Sequence, residues 1–418
     1  MASDSSRIDR RAFLSRGAGM VTAAATGWAA PASAADAPAG VPRWMQIPGE
    51  PLRGYGQPSM HEAKVLRALA PNYGKLDLGS GTSRTPLQLL EGTITPSGLH
   101  FERHHNGVPS IDPAQHKLLI HGLVRKPLAF NVEALLRYPM VSRTCFIECA
   151  GNSALNTLPK APQVTAGMIH GVMSCSEWTG VPLSLLLNEA GLEPTGKWLL
   201  AEGADSAAMS RSIPVEKALE DILVALYQNG ERIRPEQGYP LRLVVPGWEG
   251  NVSVKWLRRL KATEGPTHTK DETSKYTDLM SDGKARQFTF VMGVKSVITR
   301  PSGGMTMQGP GLYEVSGLAW SGAGRITRVE VSSDGGPSWR NASFSGPSLP
   351  KSVVRFRLPW EWNGAEAMLQ SRATDDTGRV QESRAAWTAQ YSPGNRFHNT
   401  MIQTWAVNAD GRVNNVYL

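Results

Sequence analysis

Thr144-Cys145-Phe146-Ile147-Glu148-Cys149-Ala150-Gly151-Asn152-Ser153 is a short apolar run that breaks into small, turn-forming residues. Its first five residues read as a buried strand. The remainder reads as the loop leaving that strand's end, where small side chains let a ligand approach the backbone closely. Cys149 stands at the junction. A soft thiolate there suits a soft metal centre. A cysteine considered alone is more often an inert core residue, so its neighbours have to decide between the two.

Outward from this stretch, residues 96–285 alternate short strands and helices, which predicts a mixed α+β domain. Strands are expected at Lys117 to Gly122, Lys197 to Ala201 and Leu241 to Val245, the last stopped by Pro246-Gly247. Helices are expected at Val132 to Tyr138 and at Leu183 to Ala190, the second closed by Gly191. Residues 286–418 change to strands separated by turn signals, at Gly311 to Trp320, Ile326 to Ser332, Val353 to Pro359 and Glu366 to Thr374. Asp334-Gly335-Gly336 and Asn363-Gly364 supply tight turns, so an immunoglobulin-like β-sandwich is predicted, with Trp339 and Trp387 as large core residues. Trp320 and Trp339 are weighed as ligand platforms too, but a packed core role suits a sandwich better. Residues 35–95, rich in Pro, Gly and Ser, read as an irregular arm.

Residues 1–34 read as an address. Arg10-Arg11 precedes a weakly apolar run from Gly17 to Ala30 and the small-residue site Ala32-Ser33-Ala34, the order of a twin-arginine export signal. Export of a folded protein to the periplasm is the expectation, and no segment is apolar enough to predict a membrane span. The formal charge of +8 falls to +6 without those residues. Its basic residues are dispersed, which argues against nucleic acid and for anionic substrates or an acidic partner. The three cysteines, Cys145, Cys149 and Cys175, leave at least one thiol free. They include no Cys-x-x-Cys-His and cannot hold an iron–sulfur cluster, so covalent haem is excluded from this chain and electrons are expected to leave through another protein.

Basic residues supply the deciding company for Cys149. Arg103-His104-His105 follows Phe101; Tyr239-Pro240-Leu241-Arg242 leads into Pro246-Gly247; and Ser253-Val254-Lys255-Trp256 comes soon after. Arginine and lysine at strand ends suit a phosphate, held bidentately and as a point charge respectively. With these motifs in order, the chain resembles the sulfite oxidase family of molybdopterin enzymes over nearly all of residues 35–418. Cys149 to Asn152 matches the family's Cys-Ala-Gly-Asn loop; Arg103 and His105, Gly238 to Gly247 and Ser253 to Trp256 match three further elements. The resemblance implies a molybdenum–molybdopterin cofactor with Cys149 as the metal's thiolate ligand. It assigns pterin and phosphate contacts to Phe101, Arg103, His104, His105, Asp205, Gln237, Arg242, Ser253, Val254 and Lys255. It makes Arg103 the substrate-binding arginine and Tyr276 the active-site tyrosine, and it makes the sandwich a homodimerisation domain.

Two departures from the family's sulfite-oxidising members stand out. Ser153-Ala154 replaces a second arginine just past the cysteine, and Gln237 replaces a pterin-binding histidine. The lost arginine implies a roomier, less cationic pocket, and Arg396-Phe397-His398 is a candidate source of replacement charge. These features resemble the sulfane dehydrogenase branch of the family. That resemblance implies oxidation of sulfane sulfur bound to the cysteine of a carrier protein, with a c-type cytochrome receiving the electrons. The alternatives are a sulfite:cytochrome c oxidoreductase, a molybdopterin-binding scaffold without activity, and an adhesive sandwich module, which leaves the cysteine loop and basic anchors unexplained.

Overall fold

Within Lys117–Gly122, Leu118 and Ile120 are buried while Lys117 and Leu119 face outward, the period of two that a half-covered sheet requires. In the computed structural model of the chain, which describes residues 40–71 and 79–418, this strand lies in a five-stranded sheet. Its order is Leu128–Asn131, Lys117–Gly122, Leu257–Thr263, Trp198–Gly203, Ser210–Pro214. The pair Lys117–Gly122 and Leu257–Thr263 is parallel and the others antiparallel. A second sheet joins Glu231–Arg232, Leu223–Gln228, Met173–Pro182 and Val141–Glu148, with Arg242–Val244 paired onto Leu223–Gln228. Cys145 to Glu148 are all buried, as a strand covered on both faces must be. The main core includes Leu118, Leu199, Leu243, Val254 and Leu257. A smaller cluster of Phe101, Ile147, Trp178 and Val244 packs directly against Cys149.

The helix expected over Val132 to Tyr138 stops at Leu135. Asn131 caps its start by accepting from the Ala134 N–H at 2.7 Å. Beyond Leu135 the chain tightens into bonds from Arg137 to Ala134 and from Tyr138 to Leu135, as it approaches Pro139, which disfavours helix in the residue before it. Leu183–Ala190 forms as expected and ends on Gly191 at φ +69.

The C-terminal half has a four-stranded sheet ordered Lys295–Arg300, Gly311–Trp320, Val353–Trp362, Ser343–Phe344. Facing strands form a second sheet, Arg340–Asn341, Ile326–Ser332, Ala367–Asp375, Thr404–Val407, Val413–Val416. The tryptophans in this core are Trp360, Trp362 and Trp405, which corrects two expectations. Trp339 is half-buried at a turn, its indole N–H donating to the Gly336 carbonyl at 2.8 Å beneath the Arg372 guanidinium. Trp387 is buried, but on the helix Arg384–Gln390 with Tyr391 and Met401, apart from the sandwich core. Trp320 is fully enclosed with Phe146, Met173 and Val297 where the two halves meet, so it cannot serve as a ligand platform.

The arm expected to be irregular contributes two strands, Ala68–Pro71 and Gly81–Arg84, which pair with Glu102–His104 in a three-stranded sheet. Gly81-Thr82-Ser83-Arg84 carries no apolar alternation; it is extended because its backbone bonds to the Arg103 strand. Residues 40–60 belong to a separate unit, hold the turn Arg43–Met45 and are largely exposed. The signal-like residues 1–34 lie outside the described residues. All three cysteines are free thiols, and among the described residues no helix is long and apolar enough to cross a membrane.

Candidate molybdopterin site

Strand ends from both catalytic sheets converge on one cavity. The residues assigned from the sequence to cofactor binding and catalysis line it: Phe101, Arg103, His104, His105, Cys149, Asp205, Gln237, Arg242, Ser253, Val254, Lys255 and Tyr276. Cys149 follows the last residue of Val141–Glu148, and its N–H donates to the Val172 carbonyl at 3.0 Å. Asn152 closes the turn by donating its N–H to the Cys149 carbonyl at 2.8 Å. Arg103 lies inside a strand, opposite Thr82, where a position beyond a strand end was expected. Tyr276 follows the short helix Lys270–Thr273, whose Thr269 and Glu272 form a capping box. Its backbone is held at φ +52, a costly conformation for a bulky residue that persists only where its surroundings enforce it. Its hydroxyl is 3.3 Å from His105 Nε2.

Positive charge is concentrated here. Arg103, Arg242 and Lys255 line the cavity against one carboxylate, Asp205. Arg242 spends its nitrogens on the carbonyls of Leu243, Gln237 and Ser253, at 3.2, 2.9 and 2.8 Å. These bonds fix the guanidinium without neutralising it. Lys255 Nζ donates to the Glu236 carbonyl at 3.0 Å and lies 2.8 Å from His104 Nδ1. Burial, and then the charge of Arg242, pull the Lys255 ammonium well below its usual range. Burial lowers Arg242 to about 9, still cationic at neutral pH. Burial also depresses His100 and His105 to about 3 each, so both rings are neutral.

Buried cations facing each other are costly unless an anion joins them. A phosphate supplies that anion, and the half-buried Cys149 thiol beside it offers a soft ligand for a metal. Among the described residues His100 Nε2 is buried without a hydrogen-bond partner, and the Gln237 amide donates to the Phe101 carbonyl at 2.9 Å. The donor set fits a phosphorylated pterin carrying a metal.

Cavity residues outside the sequence reading are His100, Ile147, Met209, Gly250, Asn251 and Trp256. Trp256 follows Lys255 in a matched motif and Ile147 lies on the strand read as leading to Cys149, so both could have been found; the others come from segments with no local signal. Arg396 and His398 do not supply replacement charge to the lining. The Arg396 side chain is exposed, and His398 is buried against Asp278, with Nδ1 2.9 Å from its Oδ1. The segment nevertheless reaches the cysteine turn, since the His398 N–H donates to the Ala150 carbonyl at 2.9 Å.

Residues 105–270 match the oxidoreductase molybdopterin binding domain, and residues 286–405 match the Mo-co oxidoreductase dimerisation domain. The crystal structure of the sulfane dehydrogenase SoxCD from Paracoccus pantotrophus superposes with a TM-score of 0.88 at 46% identity, covering 94% of this chain and 100% of that one. The chain belongs to the sulfite oxidase family of molybdopterin oxidoreductases. Chicken sulfite oxidase is 30% identical over 72% of this chain and 71% of its own length. Rat mitochondrial sulfite oxidase is 30% identical over 76% of this chain, which spans 63% of that protein. The family cofactor, molybdenum–molybdopterin, is the group the cavity's donors fit.

Proposed function

We propose that the protein oxidises sulfane sulfur carried on the cysteine of a partner protein and passes the electrons to a c-type cytochrome. The observation that carries the chemistry is the convergence of Cys149, Arg103 and Tyr276 on one cavity with Arg242 and Lys255. The likeness to a sulfane dehydrogenase over the whole of that chain, at 46% identity, supports the substrate class. Alanine at position 154 supports it too, because the turn after Cys149 then projects no cation to clamp a small free anion.

When bound, the molybdenum–molybdopterin group supplies oxygen-atom transfer and the accompanying two-electron change. Cys149 would hold the metal through its thiolate. Arg242 and Lys255 would hold the pterin's phosphate, with Ser253, Val254, Asp205, Gln237 and Phe101 to His105 shaping the pterin's bed. The Arg103 guanidinium would orient an anionic sulfur–oxygen group. Tyr276 Oη, its proton affinity raised by burial and then by the nearby cysteine, would donate a hydrogen bond and keep its proton at neutral pH. Each oxygen atom added to sulfur comes from water and releases two protons and two electrons. Three such additions to the outer sulfur carry a persulfide to an S-sulfonate, with the S–S bond kept and six electrons leaving.

The proposal includes export to the periplasm by the twin-arginine route and homodimerisation through residues 286–418. The 30% identity to sulfite oxidases favours a second reading, oxidation of free sulfite. Steady-state assays with a persulfidated carrier protein and with sulfite separate the two. A kcat/KM at least tenfold higher for the carrier supports the proposal, and efficient turnover of sulfite alone supports the second reading.

A further inference from the structure

The strand that presents Cys149 ends on a buried carboxylate whose cation comes from the other half of the molecule. Glu148 accepts from Asn152 Nδ2 at 2.8 Å, from Lys295 Nζ at 3.2 Å and from Trp320 Nε1 at 2.7 Å. Lys295 also donates to the Ser153 hydroxyl at 2.6 Å, and that oxygen lies 2.7 Å from His170 Nδ1. Glu148, Lys295 and Trp320 are essentially inaccessible to solvent. Lys295 lies on Lys295–Arg300 and Trp320 on Gly311–Trp320, adjacent strands of the sandwich.

These contacts fall on both sides of the thiol. Glu148 precedes Cys149. Ser153, held at φ +67, closes the same turn, and its carbonyl accepts from the Asn399 amide at 3.3 Å. Asn152 ties the two sides together, donating to Glu148 and accepting from the Val172 N–H at 3.2 Å. The cysteine turn is thus clamped from behind by side chains of the C-terminal half. A buried ion pair is poor value as a stabiliser compared with apolar packing, and is better understood as a device that fixes one geometry.

We propose that Lys295 and Trp320 are positioning residues. Through Glu148 and Ser153 they fix the direction of the Cys149 sulfur toward the metal, so the sandwich completes the molybdenum site of its own chain as well as offering a surface for dimerisation. This rests on Cys149 being the metal's thiolate ligand. Partners behind a ligand orient it and tune its metal, and losing one typically costs on the order of 10- to 100-fold in metal affinity or activity.

The test uses full-length holoenzyme as wild type, Lys295→Met, Trp320→Phe and Cys149→Ser. Molybdenum retention under chelator challenge, the Mo(V) electron paramagnetic resonance spectrum generated by dithionite titration, and the thermal midpoint are measured for each. Trp320→Phe removes the N–H that Glu148 accepts from while keeping an aromatic ring, though a smaller one, in the pocket, so it decides the matter if Lys295→Met does not accumulate. The expected result is a changed Mo(V) spectrum with metal retention lowered by roughly 10-fold or more. Wild-type spectrum and retention in every sandwich variant that folds, whatever the thermal midpoint, would overturn the proposal. A wild-type spectrum in Cys149→Ser would instead overturn the ligand assignment beneath it.

Discussion

At the scale of single residues, the site divides between groups that bind charge and groups that place it. Arg103 faces the cavity near the cysteine, and its charge favours the Cys149 thiolate although burial works more strongly the other way. Arg103→Gln should raise KM for an anionic sulfur substrate by roughly 10- to 100-fold, since a hydrogen bond to a charged group contributes about 1.5–3 kcal/mol, while thermal stability changes little. Steady-state kinetics check this, and a KM within twofold of wild type contradicts it. Tyr276 is placed differently, with its backbone strained at φ +52 and its ring 5.6 Å from Phe397 and 5.3 Å from the Arg211 guanidinium. Tyr276→Phe keeps that packing and loses only the hydroxyl. The expected effect of losing that hydrogen-bond donor is a fall in kcat of about 100-fold without loss of fold, measured on protein with normal molybdenum content.

Elements matter because the motif residues meet across them. Pro246-Gly247 ends the Arg242–Val244 segment, and Gly322 follows the sandwich strand Gly311–Trp320. A Cβ on Gly247, which has φ +78, would lie 2.2 Å from the Gly322 carbonyl oxygen. Gly247→Ala should therefore cost more than the ~1–2 kcal/mol of the left-handed conformation alone, because a backbone carbonyl must also move. Calorimetry that finds the thermal midpoint unchanged would contradict this. Gly247 was legible as part of a motif, but its contact with Gly322 was not, because no local pattern encodes a pairing between distant segments. The same limit applies to the site. Cys149, Arg242 and Lys255 could be read because each sits in a distinctive local string. His100, Met209 and Asn251 could not, since only the folded sheets bring them to the cavity. The three-stranded sheet under Arg103 was hidden for another reason: Gly81–Arg84 becomes a strand through its partner and carries no alternation of its own. Val132–Leu135 ran shorter than its periodicity because Pro139 lies just ahead.

At the scale of the whole molecule, the two halves share charged groups as well as apolar surface. His398 packs with Nδ1 on Asp278 and Nε2 3.9 Å from Glu249. Burial lowers the imidazole's pKa, but the Asp278 bond and the Glu249 charge outweigh it and leave the value raised, with Arg286 opposing. For Asp278, burial is the largest single influence and raises the pKa, but the bond and charge of His398, the Thr289 bond and the Arg286 charge together outweigh it, leaving the value lowered. A raised histidine contributes stability that is complete below its unfolded pKa of about 6.5 and fades as pH rises through the folded value. A lowered aspartate contributes stability that is complete above about 3.9 and fades as pH falls. The thermal-midpoint gap between wild type and His398→Gln should be widest between about pH 4 and 6.5 and narrow above that range. A gap that widens with rising pH would contradict the pairing.

All of this hangs on a molybdenum atom held by one protein thiolate at the end of Val141–Glu148. X-ray absorption at the molybdenum edge, on wild type and Cys149→Ser of matched metal and pterin content, tests that most directly. The account predicts close to one molybdenum per chain and the loss of one sulfur neighbour from the metal in the variant. An unchanged sulfur shell in Cys149→Ser, or wild-type protein purified without molybdenum from cells that make the cofactor, would contradict it.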